Sequence, residues 1–172
     1  MSVSTDEAMT LFSIALVLAA FLCSLVAGFL FAFAVVVMPG LGRLDDGGFI
    51  RAFQMIDGII QRSQPLFVFT WMGSVLALMT AAVLGIWELG GSNRLLLITA
   101  TLVYILGVQL PTVTINIPIN NKLQKLDLGT TSESAQRQAR SEFEPRWNRW
   151  NVIRTACSSF TTILLLVLLL RV

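Results

Sequence analysis

Arg146-Trp147-Asn148-Arg149-Trp150-Asn151-Val152-Ile153-Arg154-Thr155 opens the last apolar run of this chain, and its reading decides the fold. Residues 155–170 form an uncharged run of sixteen before Arg171. A helix needs about 20 residues to cross a hydrocarbon core of about 30 Å. A last spanning helix therefore recruits residues from Asn151 onward, which sets Asn151 and Arg154 inside the membrane or at its edge. An ionisable residue there is costly unless it is paired or reaches the interface, so it marks a candidate functional site. A second polar signature, Thr114-Ile115-Asn116-Ile117-Pro118-Ile119-Asn120, closes the preceding apolar run.

Working outward, three more runs reach membrane length. Residues 9–38 carry no charge, and the acidic Asp6 and Glu7 before them do not fit a cleavable leader, which starts with basic residues. Residues 66–87 follow Pro65, and residues 95–115 follow the short turn Glu88-Leu89-Gly90-Gly91-Ser92-Asn93-Arg94. The expectation is an all-α, four-helix transmembrane bundle in one domain over 1–172, with spans at 9–38, 66–87, 95–115 and 151–171. Pro39-Gly40 is expected to stop the first helix, and Pro111 to kink the third. Small residues recur every four positions at Ala20, Ser24, Gly28 and Ala32, and again at Gly73, Ala77, Ala81 and Gly85. Such ladders let backbones approach closely, so Gly73 and Ala77 are expected against the first helix near Ser24 or Gly28.

The two long loops carry amphipathic, interfacial helices. Phe49, Phe53, Ile56 and Ile60 share one face, with Gln54, Asp57, Gln61 and Gln64 on another. Read alone, that pattern is a helix lying in the interface with its polar side in water. Thr130 with Glu133 makes a capping box for a surface helix through Glu144. Pro145 then suits the first position of a new helix running to Arg171.

Composition fixes the class. With 55% apolar and 13% charged residues in 172, and a mean hydropathy of +0.77, the chain reads as a multi-pass membrane protein whose first partner is the lipid bilayer. A net charge of +2 gives no reason to expect nucleic acid. The sequence contains no histidine, so neither a His-ligated haem or metal centre nor an imidazole base is expected. Cys23 and Cys157 lie in separate apolar runs and read as packing residues. No metal and no cofactor is expected. Ten of the twelve Lys and Arg fall between the first and second or the third and fourth spans. The positive-inside rule then puts both long loops in the cytoplasm, and both termini outside, of a cell-membrane protein.

Three stretches together resemble the anthrone-oxygenase-like family of small four-helix membrane proteins. Phe53-Gln54-Met55-Ile56-Asp57 is similar to its Met-Gln-x-Ile-Asn pattern, with Phe53 and Asp57 replacing Met and Asn. Asn116-Ile117-Pro118-Ile119-Asn120 resembles its Asn-x-Pro-x-Asn motif, and Trp147-x-x-Trp150-Asn151-x-x-Arg154 its closing motif. The resemblance implies oxidation of a lipophilic aromatic, anthrone-like or quinol-like, by molecular oxygen without a recognised cofactor. In such a reaction Asp57 is the candidate base and Arg154 the candidate cation for an oxyanion. Gln54, Asn116, Asn120, Trp147, Trp150 and Asn151 are the candidate substrate-binding residues.

Plainer readings stand beside these. Trp147 and Trp150 fit an interfacial aromatic belt, and Arg154 can snorkel to lipid phosphates. Asn116 and Asn120 can satisfy backbone groups that Pro118 leaves open. The stripe Trp147, Asn151, Arg154 and Ser158, spaced by four, three and four, instead favours a paired arginine, with Asp57 the expected counter-charge. The alternative to an enzyme is a non-catalytic membrane protein, permease-like or an accessory subunit, whose polar cluster only locks the helices. Substrate and oligomeric state are not legible. The topology is testable: with Cys23 and Cys157 removed, a cysteine at Ser92 should label from outside and one at Ser132 from the cytoplasm. Labelling of both from one side would sink the four-span reading.

Overall fold

A computed structural model describes residues 5–172; residues 1–4, part of the domain expected over 1–172, lie outside the described residues. The described residues are helical apart from short turns and contain no strand. The helices are α1 (Thr5–Ala32), α2 (Met38–Leu41), α3 (Asp46–Gln61), α4 (Pro65–Glu88), α5 (Gly91–Tyr104), α6 (Ile117–Gln124) and α7 (Glu133–Leu169). Four continuous stretches, Glu7–Leu41, Pro65–Glu88, Gly91–Gln124 and Glu133–Leu169, are long and apolar enough to cross a membrane. The chain is a multi-pass membrane protein, with longer helices than the hydropathy runs suggest.

The added length has a physical cause. Pro39 does not stop the first helix, which passes through a π-helical turn at Phe33–Val37 into α2. Two further π-helical turns, Ile105–Gln109 and Thr112–Asn116, join α5 to α6. Each of the three ends two residues before a proline: Pro39, Pro111 and Pro118. A proline offers no N–H and its ring crowds the carbonyl four residues back. A wider turn moves that carbonyl to a different partner, so the helix is re-aimed and not broken.

The polar ends are held by side chains. Asp45 caps α3, its carboxylate accepting the Gly48 N–H at 2.7 Å. Ser63, with φ of +57°, turns the chain sharply from α3 into α4, whose first turn is capped by Gln64. At the other end Arg94 donates to the Leu89 carbonyl, and Gly91, at φ +48°, makes the tight return into α5. The expected capping box at Thr130 is not used: Ser132 caps α7, and Thr130 bonds back to Asp127. Nor does a new helix start at Pro145, which sits inside α7 on its exposed side.

Packing confirms one small-residue ladder and corrects the other. α1 and α4 make the most extensive helix contact in the molecule, followed by α1 with α7 and α5 with α7. On α4, Ala81 and Gly85 are buried, and a Cβ on Gly85 would run into Leu97 and Phe12. Gly73 faces Leu22 of α1, whose side chain would stand 3.1 Å from an added Cβ. On α1, however, Ser24, Gly28 and Ala32 are exposed, and nothing approaches Gly28. The buried face of α1 is instead Ala15, Ala19, Cys23 and Ala27, the same four-residue spacing on another face. A second apolar cluster, built on Phe49, Phe53, Leu123, Phe143 and Trp147, fixes α3 and α6 across the near end of α7.

Candidate functional site

α7 presents one continuous inward face: Phe143, Trp147, Asn151, Arg154, Ser158, Thr161, Leu165 and Leu168. These follow a three-and-four spacing, so every polar member points where the apolar ones do. Trp147, Asn151 and Arg154 line a cavity of about 310 Å³ between α1, α3, α4, the Thr112–Asn116 turn and α6. Its walls are aromatic. Phe67 stacks on Trp71 with ring centroids 5.4 Å apart, Phe29 meets Phe67 at 5.4 Å, and Trp147 packs on Phe33 and Phe53 at 5.6 and 5.7 Å.

Arg154, only 4% exposed, is the buried cation. Its Nη1 donates to Thr112 Oγ1 at 3.0 Å and its Nη2 to Asn151 Oδ1 at 3.2 Å, and the guanidinium lies 5.9 Å from the Trp147 ring. Asn151 is oriented in turn by donating through Nδ2 to the Leu30 carbonyl of α1 at 3.0 Å. The expected pairing with Asp57 is not made. Among the described residues no carboxylate forms an ion pair with Arg154. Snorkelling to the interface is equally ruled out by the inward direction of the side chain.

Asp57, on α3, is buried in the lining of the same cavity, 4% exposed. Its Oδ1 accepts from Asn120 Nδ2 at 2.9 Å and its Oδ2 from Gln61 Nε2 at 2.6 Å. Asn120 is itself fixed, because its Oδ1 accepts the Trp147 indole N–H at 3.0 Å. Gln61 also reaches Asn121 at 3.1 Å. Burial raises the Asp57 pKa above the ordinary carboxylate value, opposed by the two amide donors. The polar face of α3 is therefore not turned to water at this position.

Two groups in this cavity lack partners. The Asn116 carboxamide, 2% exposed, has neither its Nδ2 nor its Oδ1 bonded, and Arg154 Nε–H is also free. Leaving a buried polar group unmet costs about 1–3 kcal/mol, so these three atoms stand out among the lining residues. Arg154 Nε–H and Asn116 Nδ2 are donors and Asn116 Oδ1 is an acceptor, a set complementary to a polar group. The π-helical turn before Pro118 is what carries Thr112 and Asn116 to the same wall.

Of the candidates from sequence, Asp57, Asn116, Asn120, Trp147, Asn151 and Arg154 come together here. Trp147 is a buried wall residue, not part of an interfacial belt. Gln54 and Trp150 lie outside the cavity lining. Gln54 is structural: its Nε2 donates to the Leu123 and Leu126 carbonyls at 2.9 Å each and clamps α3 to the end of α6. Sequence reasoning missed Gln61, Thr112, Phe29, Phe67 and Trp71. Gln61 had a signal, standing four residues from Asp57. The aromatics, embedded in apolar helices, had none. No group of three or more His, Cys, Asp or Glu in metal-binding geometry occurs among the described residues.

The pKa direction at Asp57 makes stability depend on pH. A carboxyl whose folded pKa is raised contributes stability that is full below its unfolded pKa and lost as pH rises through the folded value. Asp57→Asn removes that titration. In detergent melts, the parent should lose stability relative to Asp57→Asn as pH climbs from the ordinary carboxylate range upward. A parent-to-variant difference that stays constant over this range would contradict a raised, buried carboxyl.

A profile of the anthrone oxygenase family matches residues 62–164, more than half of the chain and including α4, α5, α6 and the inward face of α7 as far as Thr161. No curated protein and no solved structure matches it.

Proposed function

The chain belongs to the anthrone oxygenase family, and from that premise we propose that the cavity binds a lipophilic aromatic substrate and oxidises it with molecular oxygen. The observation that carries the reading is the unpartnered pair Arg154 Nε and Asn116 carboxamide on the wall of an aromatic-lined cavity. Aromatic walls favour a flat ring system, which gains stacking there beyond its burial. The unpartnered donors suit an oxygen substituent that carries negative charge.

In this scheme an anthrone binds with its ketone oxygen toward Arg154 and Asn116. Asp57, with its raised pKa, takes a proton from the ring methylene, and the electron pair moves toward the oxygen as the enolate forms. Arg154 is bonded only to neutral oxygens, so its charge is left to stabilise that oxyanion in a dry site. Oxygen then reacts at the carbon that lost the proton. The balance is one anthrone and one O₂ giving one anthraquinone and one water. The basic residues of the two long loops lie toward the Asp57 side, which supports a cytoplasmic face there.

A second reading rests on one bond. Asn151 ties α7 to the Leu30 carbonyl of α1, as a residue that only locks helices would. Arg154→Lys separates the two. Lysine keeps the charge but not the planar fork that reaches Thr112 and Asn151 while presenting Nε. Oxygen uptake by protein-containing membranes given anthrone should fall about tenfold or more for Arg154→Lys, roughly 1.4 kcal/mol or more in barrier, with melting little changed. Equal uptake at equal folded protein would overturn the catalytic role, and a loss of folding alone would favour the lock.

A further inference from the structure

Much of the wall of the cavity is packing that can be named. α1 lies along both α4 and α7, and α3 lies against α7 and α6. The α3–α6 side is bridged by hydrogen bonds, Gln54 to two α6-end carbonyls, Gln61 to Asn121 and Asn120 to Asp57, with Gln61 and Asn121 exposed at its polar rim. One seam is different. The first turns of α4 supply Phe67 and Trp71, and the facing segment supplies Thr112, Asn116 and Ile117. These two segments share no comparable helix packing.

The reason lies at the far end of the hairpin. α4 and α5 meet close to their connecting turn, where Gly85 is packed against Leu97. From there a bond between the Ser74 and Tyr104 hydroxyls at 2.7 Å still joins the two helices, and the two π-helical turns that follow Tyr104 pack on α7. The Trp71 indole N–H to Gln109 Oε1 bond, 2.9 Å, spans the inner edge of the gap. Outside it, the rim is exposed and apolar on both sides: Leu66 and Phe69 on α4, Val113 and Ile117 opposite. No charged residue occurs in residues 65–87 or 110–121, so nothing on this rim resists contact with hydrocarbon.

We propose that the cavity opens sideways into the membrane interior through this seam, and that its ligand enters as a membrane-dissolved molecule. This rests on the reading of the cavity as a site for a lipophilic aromatic. It adds that the ligand reaches the site from the hydrocarbon and not across the polar α3–α6 rim, where Gln61 and Asn121 are exposed. Phe67 and Trp71 then act as the inner wall that a flat molecule slides along.

The test needs no substrate, so its failure is distinct from a failure of the oxygenase reading. Trp147 is buried to 5% exposure inside the cavity and reports what reaches it. The protein with Trp71→Phe, Trp87→Phe and Trp150→Phe keeps Trp147 as its sole tryptophan and an aromatic ring at position 71. It is reconstituted in phosphatidylcholine vesicles with or without brominated acyl chains. Brominated chains should cause a marked loss of Trp147 emission, aqueous iodide should cause little, and Ile117→Phe, which fills the seam, should restore the emission. Quenching by iodide instead of brominated lipid would place the opening toward water. No quenching by either, or quenching indifferent to Ile117→Phe, would overturn the seam. Should the triple variant not fold, the form retaining Trp71 carries the same test, read as the part of the quenching that Ile117→Phe removes.

Discussion

A buried guanidinium held only by neutral oxygens governs the architecture around it. Arg154 sits on the inward face of a helix otherwise suited to a membrane, where a charge is expensive unless satisfied. Thr112 and Asn151 meet two of its nitrogens, and Asn151 is in turn braced by the Leu30 carbonyl. That chain of bonds requires α1, α7 and the Thr112–Asn116 turn to arrive at one depth. An acidic partner would have neutralised the cation and spent its field. With Asp57 instead tied up by Gln61 and Asn120, an unpaired cation and a carboxyl both line one cavity.

The prolines make that arrangement possible. Pro39, Pro111 and Pro118 each follow a π-helical turn, and the first and third of these turns border the cavity. Phe33 comes from the first and Thr112 and Asn116 from the third, while Gln109, in the second, holds Trp71. A regular helix through residues 105–120 would rotate these side chains away from their present wall. The wide turns thus convert three local backbone defects into side-chain placement, a use of π-bulges often met at functional sites.

Much of this was legible in the sequence, and the limits have physical causes. The four long helices follow from hydropathy because lipid leaves the backbone few alternatives. The inward stripe of α7 follows from spacing alone, since Trp147, Asn151, Arg154 and Ser158 recur with the helical period. What spacing could not supply was the partner of Arg154: Asp57 was the obvious counter-charge by sign, but Thr112 and Asn151 are the ones within reach. The ladder on α1 misled for a similar reason. Ala20, Ser24, Gly28 and Ala32 have the right period, yet so do Ala15, Ala19, Cys23 and Ala27, and only packing against Leu78 and Ala81 of α4 selects between the faces. Pro39 read as a helix stop because sequence does not reveal that a π-helical turn can absorb it. Gln54 and Trp150 share motifs with site residues but point elsewhere, one to carbonyls of the α6 end and one outside the cavity.

The account stands on the claim that the Arg154 and Asn116 wall holds the oxygen of an aromatic molecule. Protein purified from membranes in mild detergent, extracted into organic solvent and analysed by mass spectrometry, tests this most directly. The parent should release a lipophilic aromatic compound in near-equimolar amount, and Asn116→Leu, which removes both unpartnered amide atoms while filling similar volume, should release far less from equally folded protein. A parent that carries no aromatic compound, or an Asn116→Leu protein that retains it undiminished, would contradict the account.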